Sequence, residues 1–60
     1  MKIGDLLKIT YKHGAINYLF GIYMGEGTYD VHPYISVYVD GEMRKMYKLD
    51  YNYEVINGNW

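Results

Sequence analysis

Sixty residues without a cysteine make one domain, and they exclude disulfides and thiolate metal sites as the source of its stability. Six Lys or Arg against seven Asp or Glu leave a net charge of −1, which argues against the strongly basic surface of a domain that binds phosphate backbones without sequence preference. Half of the residues are hydrophobic and nine are tyrosine, so the chain is not of the polar, aromatic-poor kind that stays disordered.

No apolar run approaches the roughly 18 residues of a bilayer-crossing helix. The opening Met1-Lys2-Ile3-Gly4-Asp5 lacks the apolar stretch and cleavage site of a secretory signal. A cytoplasmic protein, complete from its own Met1, is therefore expected. A chain this short buries only about 60% of its unfolded surface. Without disulfides or metal, tight packing or self-association must compensate for a thin core.

The first strand is expected over 6–11, opened by Gly4-Asp5, with Leu7 and Ile9 on one face and Lys8 and Thr10 on the other. Residues 12–17, containing Gly14, read as a loop. The second strand spans 18–24, with Phe20, Ile22 and Met24 sharing a face and Gly21 marking a bend or close backbone approach. Gly25-Glu26-Gly27-Thr28-Tyr29-Asp30 reads as a loop that ends at Pro33. Over 34–39, Ile35, Val37 and Val39 form an apolar face opposite Tyr34, Ser36 and Tyr38. Asp40-Gly41 is a hairpin signal, because both residues tolerate the positive φ of a tight turn. The fourth strand follows over 42–48.

The register of that hairpin has two solutions. A two-residue turn pairs Val39 with Glu42 and Tyr38 with Met43. A three-residue turn with a G1 bulge pairs Val39 with Met43 and carries Lys45 and Tyr47 to the core side. The apolar pattern near the turn favours the bulged form. Residues 49–52 read as a single helical turn, of the short 3-10 kind, and 53–56 as the fifth strand. The domain then spans 1–57, and 58–60 form a loosely held tail. Leu7, Ile9, Ile22, Ile35, Val37, Val39 and Val55 are the expected core. Five short strands with turn signals between them, in one small all-β domain, point to a barrel that closes its edges.

The opening Ile3-Gly4-Asp5-Leu6-Leu7-Lys8-Ile9, the central Gly21-Ile22, the strand end Val39-Asp40-Gly41 and the closing Tyr53-Glu54-Val55-Ile56 resemble a group of very short SH3-like barrel proteins. These are encoded by tailed bacteriophages, especially those infecting marine cyanobacteria. The resemblance implies a five-stranded SH3-like barrel and a phage origin. It carries no catalytic residues, because the quoted positions are framework and the group's members have no established role. Gly4-Asp5 before alternating apolar residues is also similar to the first strand of barrels in some ribosomal and transcription-elongation proteins, which are richer in Lys and Arg.

Chemistry-bearing clusters are sparse. Asp30, His32 and Glu26 are metal-ligand types, but their spacing is that of a solvated turn, and no metal or cofactor is expected. Ser36 sits mid-strand, neither His13 nor His32 has a base-and-orienter pairing in sequence, and Asp40 and Glu42 merely flank a turn. No enzyme is expected. Gly25-Glu26-Gly27 lacks the remainder of a phosphate-binding G-x-G-x-x-G.

The tyrosines carry the functional expectation. Tyr34, Tyr38 and Tyr47, rimmed by Arg44 and Lys45, form an outward surface suited to a protein partner or a second copy, since tyrosine combines a large ring with a polar tip. The alternative is a nucleic-acid patch of Lys8, Lys12, Arg44, Lys45 and Lys48 interleaved with Tyr38, Met46 and Tyr47. A further alternative is a virion-associated structural protein. The place of action is then the host cytoplasm or the virion.

Overall fold

A computed structural model describes residues 1–14 and 17–56. Five strands, β1 (Leu6–Tyr11), β2 (Tyr18–Tyr29), β3 (His32–Val39), β4 (Glu42–Tyr47) and β5 (Tyr51–Val55), form one antiparallel sheet in the order β4-β3-β2-β1-β5. Ala15 and Ile16 of the expected 12–17 loop, Asn57 at the expected domain end, and the 58–60 tail lie outside the described residues.

β2 organises the sheet. Its first half pairs with β1, from Thr10↔Tyr18 to Leu6↔Ile22, and its second half pairs with β3 out to Tyr29↔His32. Between the halves Met24 is an unopposed bulge residue, and Gly25 takes φ 127, a conformation that side chains resist. The bulge bends the strand, so the β3–β4 half folds over the β1–β5 half.

The resulting interior holds Leu7, Ile9, Tyr23, Ile35, Val37, Val39 and Met46, with Leu19, Tyr51 and Tyr53 packed against them. The sheet does not close. β4 and β5 remain its edges, joined across the interior by the Tyr53 hydroxyl, which donates to the Met46 carbonyl at 2.6 Å.

Several local expectations give way to this packing. The expected loop at 25–30 is strand as far as Tyr29, and Asp30-Val31 make the turn, with φ 46 and 63. The two glycines that suggested a loop are tolerated in the ladder. Tyr34 lies over Gly27, and a Cβ there would meet its hydroxyl at 2.8 Å. β2 also turns its other face inward: Leu19, Gly21 and Tyr23 face the core, while Phe20 and Met24 are 48% and 40% exposed. Gly21 decides this, because a Cβ on it would lie 2.7 Å from Val39 Cγ2. A side chain at position 21 would contend with Val39 of the neighbouring strand β3 for the same space. Ile22 is half-buried on the outer side instead of in the core.

The β3–β4 hairpin uses the two-residue turn, not the bulged one. Val39 pairs with Glu42, and Asp40 and Gly41 take φ 50 and 81. This register opposes Ile35 with Met46, which is 4% exposed, and leaves Met43 57% exposed. Burying Met46 deep in the fold outweighs burying Met43 beside the turn. The core side of edge strand β4 has room in solvent for the exposed Glu42 and Arg44. The expected 3-10 turn at 49–52 is a β-turn, closed by the Asp50 N–H donating to the Tyr47 carbonyl at 3.0 Å, and β5 starts directly at Tyr51. Tyr53 thereby replaces Val55 against the core, and Val55 is 45% exposed.

Candidate contact face

Residues directly opposed in an antiparallel ladder project to the same face. On the face away from the core, the pairs Met43↔Tyr38, Tyr38↔Ile22 and Ile22↔Leu6 therefore align into a single apolar row across β4, β3, β2 and β1. On one side of the row lie Phe20 and Lys8, and beyond them Tyr18 and Thr10. The rings of Tyr18 and Phe20 meet edge-on at 5.3 Å, and Lys8 Nζ lies 4.5 Å from the centre of the Tyr18 ring. On the other side lie Lys45, Ser36 and Gly25, then Tyr47, Tyr34 and Gly27, and finally Tyr29 and His32.

Of the surface expected from sequence, Tyr34, Tyr47 and Lys45 come together. The two rings stand edge to face at 5.7 Å, and Lys45 Nζ lies 5.2 Å from the Tyr34 ring and 5.9 Å from that of Tyr29. Tyr38 shares the face but sits about 13 Å further along β3, four residues at roughly 3.3 Å each. Arg44 does not rim this surface. It opposes Val37 and so projects to the other side of the sheet. The reason is the hairpin register, which places the two residues Arg44 and Lys45 on opposite faces in the reverse of the bulged arrangement.

The basic set Lys8, Lys12, Arg44, Lys45 and Lys48 is likewise divided. Lys8 and Lys45 lie on opposite sides of the apolar row and Arg44 on the other face. Lys12 and Lys48 meet at the β4–β5 turn, where Lys12 Nζ donates to the Lys48 carbonyl at 3.1 Å and Lys48 Nζ pairs with Glu26 at 3.0 Å.

Sequence reasoning missed Leu6, Phe20, Ile22 and Met43 as members of the outer face. The signal was present in the consecutive Leu6-Leu7 and the nearly unbroken apolar run from Tyr18 to Met24. A strand with apolar residues at both parities has two faces to cover, not one.

At the far end of this face a cleft of about 260 Å³ opens between Tyr29, His32, Tyr47, Leu49 and Asp50. At its end His13 Nε2 lies 3.2 Å from Asp50 Oδ1, and the His13 ring stands edge-on to Tyr11. Among the described residues no three His, Asp or Glu side chains converge as a metal site. Among the described residues the single strongly shifted group is Tyr53. Burial first, then the neighbouring Tyr51 and Asp50, push its hydroxyl up to about 12, which keeps it protonated as the donor to Met46.

No family model matches this sequence, and no curated protein or solved structure matches it.

Proposed function

We propose that this chain is a small non-catalytic β module, an open form of the SH3-like barrel of the kind that tailed phages encode, and that it works by protein contact through its outer sheet face. The observation that carries this reading is the row Met43–Tyr38–Ile22–Leu6, an apolar stripe crossing four strands with exposed aromatic rings beside it. Aromatic and methionine side chains gathered on one face are the composition of a protein interface. The fold part of the reading is supported by a five-stranded antiparallel sheet bent around one core, with its edges bridged through Tyr53. The non-catalytic part is supported by the exposure of the His13–Asp50 pair, whose side chains are 52% and 41% open to solvent. The host cytoplasm is the expected place of action, with the virion as the alternative.

A photo-crosslinking amino acid at position 38 tests this in cells. Discrete protein adducts are expected there, and none from position 44 on the opposite face. Adducts of equal yield from both positions would remove the face from consideration. Oligonucleotide binding at low ionic strength, weakening steeply with salt and lost on replacing Lys8 and Lys45, would overturn protein contact in favour of single-stranded nucleic acid.

A further inference from the structure

A sheet bent around its core presents a convex outer side, and the cleft at the far end of that side is a recess in it. Tyr29 and His32, an opposed pair, line one wall together with Tyr47 of β4, and the β4–β5 turn closes it with Leu49 and Asp50. Both walls are held. The Tyr47 ring is buttressed edge to face by Tyr34 at 5.7 Å. The Lys48 N–H donates to the Pro33 carbonyl at 3.0 Å and ties the turn to β3. Asp50 is fixed through both backbone groups, its N–H on the Tyr47 carbonyl and its carbonyl accepting from the Lys12 N–H at 2.8 Å. Tyr29 and His32 are set opposite each other by the strained turn Asp30-Val31, with φ 46 and 63. Backbone strain of this kind collects at ligand sites.

Charge says what fits. Asp50 is the only carboxylate among the lining residues. His13 Nε2 meets its Oδ1 at 3.2 Å, and among the described residues no partner meets its Oδ2. The nearby Lys48 and Lys12 ammoniums are engaged, by Glu26 at 3.0 Å and by the Lys48 carbonyl at 3.1 Å. Lys45 Nζ lies 5.2 Å from the Tyr34 ring centre and 5.9 Å from that of Tyr29, inside the roughly 6 Å over which a ring face attracts a cation. A ring of the cleft thus already draws a cation of the chain's own. An anion would be repelled by Asp50, and an apolar group would strip water from the carboxylate with nothing in return. A guanidinium suits both features: it is flat and weakly hydrated, so it stacks on a ring while its N–H groups reach a carboxylate, whereas a lysine ammonium holds its water. At about 260 Å³ the cleft is smaller than the roughly 300–1,000 Å³ of a whole small-molecule site and accommodates one side chain.

Resting on the contact-face reading above, we infer that the cleft receives the guanidinium of an arginine on the partner protein, against the Tyr29 and Tyr47 rings and with donors directed to Asp50. Arginine is among the residues that anchor interfaces.

The probe is acetyl-Gly-Arg-Gly-amide, titrated into the isotope-labelled full chain and followed through its amide chemical shifts. Saturable shifts are expected at positions 29, 32, 47, 49 and 50, with a dissociation constant in the millimolar range. The citrulline peptide, which keeps the shape and loses the charge, is expected to bind at least tenfold more weakly. Tyr29→Leu, at a position 63% exposed, should weaken the arginine peptide several-fold with an unchanged far-UV spectrum, and Asp50→Asn should do the same. Lys45→Gln, which removes a competing cation, should tighten it. Absence of shifts at these positions, equal binding of the citrulline peptide, or weaker binding in Lys45→Gln overturns the inference. So do larger shifts with uridine monophosphate that Lys45→Gln abolishes, which would make the cleft a base-stacking site. If the arginine peptide fails while position 38 still gives protein adducts, the contact face stands and the arginine anchor alone falls.

Discussion

Gly21 is the residue on which the arrangement of β2 turns. It is buried, and an added methyl group would press on Val39 Cγ2 at 2.7 Å and on the Tyr38 carbonyl oxygen at 3.3 Å. The obstruction is steric, set first by the Val39 methyl group and then by the β3 backbone. Gly21→Ala is therefore expected to destabilise the fold by about 1–3 kcal/mol, the range for overpacking a filled core. Urea denaturation checks this. In the Gly21→Ala, Val39→Ala pair the loss should be smaller than the sum of the single losses, because the methyl groups contend for one space. Asp30 and Val31 are the contrasting case: two non-glycine residues at positive φ, one of them β-branched and 83% exposed, carry backbone strain at the β2–β3 turn with no packing in return.

At the scale of the elements, the β3–β4 hairpin shows how a deep contact sets a register that a local contact does not. Asp40-Gly41 is legible in the sequence as a turn, and its type I′ geometry suits the twist of the flanking strands. The choice between two and three loop residues depends on which methionine enters the core. The pairing Ile35↔Met46 answers it, since Ile35 lies at the centre of the buried cluster. Met46→Ala should cost about 2–5 kcal/mol, as for a buried methionine, and Met43→Ala within about 0.5 kcal/mol, as for a surface residue. Equilibrium unfolding of the two variants reads the register directly, because the bulged pairing predicts the reverse order. The same logic explains β2: alternation alone gives two equivalent faces, and its neighbours choose between them.

For the molecule as a whole, the open sheet has two edges, and among the described residues a side-chain bridge joins them, from Tyr53 on β5 to the Met46 carbonyl on β4. The bridge needs the protonated phenol. The folded Tyr53 hydroxyl is raised from 10.0 to about 12, so above pH 10 the unfolded chain releases this proton while the folded chain retains it. The unfolded state then binds fewer protons and stability falls as pH rises. The Tyr53 contribution is thus whole below pH 10 and is lost through the interval up to about 12. Alkaline unfolding followed by circular dichroism should show that decline, and Tyr53→Phe should remove this share of it. At neutral pH the same variant should be less stable by about 1 kcal/mol, the net worth of an ordinary hydrogen bond.

Much of the fold was legible in the residues. The all-β class, the positions of β1, β3 and β4, the inward Leu7, Ile9, Ile35, Val37 and Val39, and the outward Tyr34 and Tyr38 follow from alternation and turn chemistry, which act within a few residues. The candidate site was legible only in part. Tyr34, Tyr47 and Lys45 meet, yet Arg44 projects from the other face, and Leu6, Phe20, Ile22 and Met43 join the surface unannounced. Leu6, Phe20 and Ile22 depend on pairing partners distant in sequence, and Arg44 and Met43 on the register of the hairpin.

What the sequence determined by itself is the inventory: five strands, a tight turn at Asp40-Gly41, and an excess of apolar and tyrosine side chains over what one small core can hold. What only the tertiary structure decided is which side each strand shows. A strand has two faces related by a one-residue slip, and local propensity is nearly indifferent between them. The close approach of Gly21 to Val39 and the burial of Met46 against Ile35 break that tie. In breaking it they assemble the outer row that the chain alone did not announce.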